Sequence, residues 1–93
     1  MKYTTSDKEM EKIYKSDNQI ILNLNIKEGK IIPPHDSDLS VVVVIYEGEV
    51  DFTLNDETFN VKPGDIVVIK PKEIHSIKAL KDSKIMVIQS DLK

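Results

Sequence analysis

The chain has no cysteine, tryptophan or arginine, and its 93 residues include only three glycines, two histidines and 5% aromatic side chains. Without cysteine, disulfide frameworks, zinc ribbons and thiolate catalysis are excluded. Without arginine there is no planar fork for bidentate recognition of phosphate or guanine. The 13 basic residues, all lysine, are scattered among 16 carboxylates and make no basic stripe, so nucleic acid is not an expected partner. Long apolar runs are missing too. The longest, Val41 to Tyr46, falls far short of the roughly 18 residues of a membrane helix. The opening MKYTTSDKEM lacks the apolar core of a signal peptide. A soluble, cytoplasmic protein with no membrane partner is the simplest expectation.

What is present argues for a folded domain. A hydrophobic content of 40% with a net charge of −3 favours a globular chain over a disordered one. The length suits a single domain spanning 1–93, although a chain of this size buries only about 60–65% of its unfolded surface. From about residue 18 onward, apolar and β-branched runs alternate with turns. Ile20 to Ile26 is one such run; Val41 to Tyr46, Ile66 to Ile69 and Ile85 to Ile88 are others. Pro33-Pro34 removes two donors and places its segment at a sheet margin.

One hairpin can be read with its register. With Asn55-Asp56 as a two-residue loop, Leu54 faces Glu57, Phe52 faces Phe59 and Val50 faces Val61, gathering the apolar side chains on one face. Lys62-Pro63-Gly64-Asp65 has the proline and glycine of a type II turn. The first residues read two ways. Ser6 and Glu9 resemble a capping box that would start a short helical turn, whereas Ile13-Tyr14 reads as a strand turned by Ser16-Asp17-Asn18. We favour the strand, with at most one helical turn before it.

Short strands at close spacing predict an all-β fold, an antiparallel jelly-roll barrel or sandwich. Several runs are apolar on both faces, so the second face also needs cover. A partner subunit is the economical solution and predicts a homodimer; the other is cover by the N-terminal segment.

Spacing then carries a resemblance. GKIIPPH puts His35 six residues after Gly29, YEGE puts Gly48 at the end of the next strand, and PGDIVVIKPKEIHS puts His75 eleven residues after Gly64. In order and separation these resemble the two motifs of the cupin superfamily, G-x5-H-x-H-x(3,4)-E-x6-G and G-x5-P-x-G-x2-H-x3-N, over residues 20 to 90. The resemblance implies a small single-domain cupin of the conserved-barrel type. In that family two histidines and a glutamate of the first motif, with the histidine of the second, bind a divalent metal. Here His35 and His75 occupy two of those positions, while Ser37 replaces the second histidine and Val41 or Val42 the glutamate. Lys70, Lys72 and Ala79 replace the proline, glycine and asparagine of the second motif.

On an unbroken strand, His35, Ser37, Val41, Val43 and Ile45 would share one face, turned into the barrel, with His75 reaching the same cavity from the opposite sheet. That defines a ligand pocket of His35, Ser37, Val41, Val43, Ile45 and His75, with His35 and His75 as the metal-ligating candidates. Any divalent transition metal would be held incompletely, since catalytic sites usually supply three protein ligands. The plainer reading makes His35 a strand-edge residue and His75 a core histidine satisfied by backbone. Asp36-Ser37-Asp38 lacks the glycine and distal glutamate of a calcium loop and reads as solvated. The sequence therefore predicts a small-molecule-binding or structural module with a degenerate metal site and no assigned catalytic residue. The rival is a metal-dependent cupin enzyme, of dioxygenase or isomerase type, using His35 and His75.

Overall fold

The computed structural model describes residues 7–91, and they form nine β-strands with no helix. The strands are β1 (Met10–Lys15), β2 (Gln19–Ile26), β3 (Ile31–His35), β4 (Ser40–Glu47), β5 (Val50–Leu54), β6 (Glu57–Val61), β7 (Ile66–Ile69), β8 (His75–Ala79) and β9 (Ser83–Ser90). They assemble into two antiparallel sheets, a larger one in the order β1-β2-β9-β4-β7 and a smaller one in the order β3-β8-β5-β6. This is the all-β jelly roll expected from the strand spacing.

The strand chosen for Ile13-Tyr14 is β1, and Ser16 N–H closes its turn on the carbonyl of Gln19 at 2.8 Å. The helical turn allowed before it does not form at Asp7–Glu9, which is bent chain; Ser6 lies outside the described residues. Asn25 N–H donates instead to the carbonyl of Glu9 at 3.0 Å, so backbone pairing with β2 outweighs the weak propensity for one isolated turn.

The hairpin of β5 and β6 has the register read from its sequence, with Val50 opposite Val61, Phe52 opposite Phe59 and Leu54 opposite Glu57. Asn55 takes the left-handed conformation (φ 55°) that a two-residue loop requires. The proline–glycine turn likewise forms, with Gly64 at φ 101° and Asp65 N–H donating to the Lys62 carbonyl at 2.9 Å. Only half of the expected Phe pair is buried. Phe52 is fully enclosed between the sheets, whereas Phe59 sits on the edge strand β6 and is 42% exposed.

Between the sheets lies one apolar core. Ile26, Val41, Val43, Ile45, Ile69, Ile85 and Val87 from the larger sheet meet Val50, Phe52, Val61, Ile77 and Ala79 from the smaller. The strict burial alternation along β4 puts Val41, Val43 and Ile45 inward and leaves Val42 and Val44 on the outer face. Burying aliphatic side chains this completely is worth about 1.5–3 kcal/mol each before the entropy of ordering the chain is subtracted.

The strand expected to run unbroken from His35 to Ile45 is instead two strands in different sheets. β3 ends at His35, Asp36–Leu39 forms a corner, and β4 begins at Ser40 in the larger sheet. Ser37 holds the corner: its hydroxyl accepts the Leu39 N–H at 3.1 Å, and its carbonyl accepts the Lys72 N–H at 2.7 Å. Parity cannot be counted through such a corner, because the chain leaves one sheet and enters the other.

Candidate functional site

The two histidines meet across a strand pair. β3 and β8 are antiparallel neighbours in the smaller sheet, and their register puts His35 directly opposite His75. His75 thus comes from the same sheet as His35, not from the opposite one, because Pro33-Pro34 confines β3 to an edge beside β8. The imidazoles pack edge to face, with ring centres 4.2 Å apart and planes at 60°. Behind them β5 runs along β8, with Leu54 opposite His75 and Phe52 opposite Ile77. Phe52 is therefore a diagonal neighbour of His75, and the two rings are parallel to within 3° at 6.0 Å.

Backbone carbonyls orient both rings in the same way. His35 Nδ1 lies 2.9 Å from the carbonyl of Pro33, and His75 Nδ1 lies 3.1 Å from that of Glu73. A carbonyl only accepts, so each Nδ1 carries a proton and each neutral ring presents Nε2 as an acceptor. Neither Nε2 has a protein hydrogen-bond partner among the described residues. The Glu73 carboxylate in turn accepts the Lys70 N–H at 2.7 Å and the Asn55 amide at 3.2 Å, fixing the segment that enters β8.

The environments of the two rings differ. His35 is exposed, while His75 is 6% exposed. Burial pushes the His75 imidazole below its ordinary value. The neighbouring His35 works in the same direction, while the Glu73 carbonyl and the carboxylates of Asp36 and Glu73 oppose it. His75 is thus a neutral acceptor at neutral pH.

Val41, Val43 and Ile45 are at most 2% exposed and fill the core between the sheets, and the Ser37 hydroxyl is engaged in its own corner. Two surface cavities flank the barrel, and neither is lined by His35, Ser37, Val41, Val43 or Ile45. The smaller, about 360 Å³, touches His75 but is bordered by Pro34, Thr53 and Ser76. Thr53 and Ser76 face each other on the outer side of the smaller sheet, so that opening lies outside the barrel. The larger, about 600 Å³, is at the other end of the strands, where β2 ends and β9 begins, and mixes Lys27, Lys30 and Lys84 with Glu9, Glu47 and Asp82.

Nothing in the sequence marks Phe52 or Glu73 as a site residue. Phe52 reads there only as hairpin core; its place against His75 follows from the pairing of β5 with β8, which no local pattern encodes. The donor set does not fit a metal held as in the cupin motif. Two imidazoles are in place, but Ser37 and Val41 supply nothing further, and no group of three or more His, Cys, Asp or Glu side chains among the described residues could hold a metal ion.

The second motif keeps a backbone feature after losing its residue. Lys72, at the motif's glycine position, has φ 73°. Its ammonium pairs with Asp38 at 2.6 Å, holding the Asp38 carboxyl below its usual range.

Residues 22–88 match the family model of the AraC-like ligand binding domain. No curated protein matches the chain in sequence. Among solved structures, an RmlC-like cupin family protein from Methanocaldococcus jannaschii with a double-stranded β-helix fold superposes with a TM-score of 0.84 at 23% identity, over 95% of this chain and 86% of the other. An RmlC-like cupin protein from Desulfovibrio desulfuricans gives 0.81 at 26% identity, over 87% and 79%. Oxalate decarboxylase from Bacillus subtilis gives 0.76 at 24% identity, over 82% of this chain but 22% of the larger protein. Among the described residues, no helix is long and apolar enough to cross a membrane.

Proposed function

Because the chain belongs to the family of AraC-like ligand binding domains and folds as a cupin, we propose that it is a small-molecule-binding module with a degenerate metal site, its ligand oriented by His35 and His75. The observation that carries this reading is the paired imidazoles, each with Nδ1 committed to a carbonyl two residues back and Nε2 left as an acceptor. Two fixed acceptors, the buried one backed by the Phe52 ring, suit a small ligand that donates hydrogen bonds. Access is from the His35 side, since the core behind His75 is filled. The cytoplasm suits such a module, and a chain without cysteine has no disulfide to need an oxidising compartment.

Two measurements test the reading. Ligand-observed NMR with a library of small hydroxylated and aromatic compounds should give hits on the wild type that weaken at least tenfold in His35→Ala. His35 is exposed, so its removal leaves the core intact; hits unchanged by it overturn the assignment of the site. Elemental analysis of untagged protein should find metal well below one ion per chain. Stoichiometric metal, lost in both His35→Ala and His75→Ala, would overturn the module in favour of the metal-dependent enzyme.

A further inference from the structure

The larger cavity, about 600 Å³, opens at the end of the strands away from the histidine pair and is of a size that takes small molecules. The fold brings charge to it from four places. Lys27 and Lys30 stand on the turn between β2 and β3, and Asp82 on the turn before β9. Lys84 and Glu47 face each other across β9 and β4, and Glu9 enters ahead of β1. Ile26, 3% exposed, adds an apolar patch.

The ion pairs of this cavity are of two kinds. Lys30 is in direct contact with Glu9. Lys27 stands 3.9 Å from Asp82, and Lys84 stands 3.9 Å from Glu47. That separation is beyond hydrogen-bond reach, so both ammoniums and both carboxylates keep capacity for a further group. Water screens such exposed pairs, and little is lost when a ligand separates them. The frame beneath them is firm. Asp82 Oδ1 accepts the Glu28 N–H at 2.8 Å, which leaves Oδ2 as the oxygen turned toward Lys27. Gly29 N–H donates to the Ala79 carbonyl at 2.8 Å and ties the lysine turn to the end of β8.

An anion alone would meet Glu9, Glu47 and Asp82 here, and a cation alone would meet the three lysines. A ligand carrying both signs finds a partner for each. Asp82 and Lys84 flank Ser83 at the start of β9, so their backbones are roughly 6.6 Å apart along an extended chain. The adjoining ammonium and carboxylate of an α-amino acid, with a hydrogen bond at each end, match that span. We propose that this cavity is a second binding site, for a zwitterion of the α-amino acid class. Asp82 and Glu47 receive the ligand's ammonium, Lys84 and Lys27 its carboxylate, and Ile26 packs against its side chain.

L-leucine is a suitable probe, because an aliphatic side chain matches Ile26. Titrated into the full chain, it should shift the backbone amide NMR signals of Lys27, Asp82 and Lys84 saturably and leave those of His35 and His75 in place. Leucinamide, without the carboxylate, and N-acetyl-leucine, without the ammonium, should each bind at least tenfold more weakly. Asp82→Asn keeps an acceptor for Glu28 N–H, and Lys84→Gln removes only a partly exposed charge. Each should weaken L-leucine at least tenfold with unchanged circular dichroism. No saturable shift with L-leucine overturns the proposal, and equal binding of either blocked compound overturns the zwitterion. Shifts centred on the histidines, or indifference to both substitutions, overturn the assignment of the cavity.

Discussion

At the scale of single residues, His75 couples stability to pH. Its folded value lies below its ordinary one, so between the two the unfolded chain binds more protons and stability rises with pH. The contribution is complete above about pH 6.5, the unperturbed imidazole value, and is lost as pH falls toward the depressed folded value. The groups facing the ring are His35, Glu73 and Asp36. The urea midpoint should therefore fall between pH 7.5 and 5.5, and His75→Gln should flatten that slope; an unchanged slope would show that the burial of His75 does not govern it. Lys72 predicts the opposite kind of effect. A non-glycine residue at φ 73° stores backbone strain, so Lys72→Gly should raise Tm by about 2–6 °C even though the Asp38 ion pair is lost. Gly48 cannot be exchanged in this way: at φ 93°, an added Cβ would lie 2.6 Å from Ser83 Cα. Gly48→Ala should cost about 2–4 kcal/mol by urea titration, since conformational strain and a backbone clash add. The importance of Gly48 and the two histidines is legible in the sequence from their spacing. The strain at Lys72 is not, because lysine has no local preference for that conformation.

At the scale of elements, the β5–β6 hairpin was legible down to its register, because alternation, a two-residue loop and the cross-strand pairs all agree. Its two phenylalanines still differ in energy. Phe52→Ala should cost about 3–5 kcal/mol by urea titration, and Phe59→Ala less than about 1 kcal/mol, because only the former leaves a cavity in a closed core. Comparable losses would mean that β6 is covered by a further surface. The corner at Asp36–Leu39 was not legible. Nothing in Pro-Pro-His-Asp-Ser-Asp-Leu separates an extended strand from one that changes sheet. The difference lies in the Ser37 carbonyl receiving the Lys72 N–H from a segment far along the chain. That corner ends β3 at His35 and starts β4 at Ser40 in the other sheet, so strand parity does not carry Ser37 and the β4 valines to the side of His35.

At the scale of the whole molecule, the larger sheet is stitched by non-local pairs: β9 lies between β2 and β4, and β7 closes on the far side of β4. Loop closure must come before those contacts stabilise anything, so refolding should take milliseconds to seconds, and a microsecond phase carrying the full amplitude would contradict this topology. The overall fold was legible because two motifs stand in order with a hairpin between them, and a jelly roll satisfies both. The order in which its strands are made differs from the order in which they lie. On the ribosome, a nascent chain complete through β8 still lacks the strand that joins β2 to β4, so both wait with unpaired edges until Ser83–Ser90 has left the tunnel. In that interval the apolar β2 and β4 are open to pairing with other nascent chains, which makes the last strand of the sheet the one that decides between folding and aggregation during synthesis.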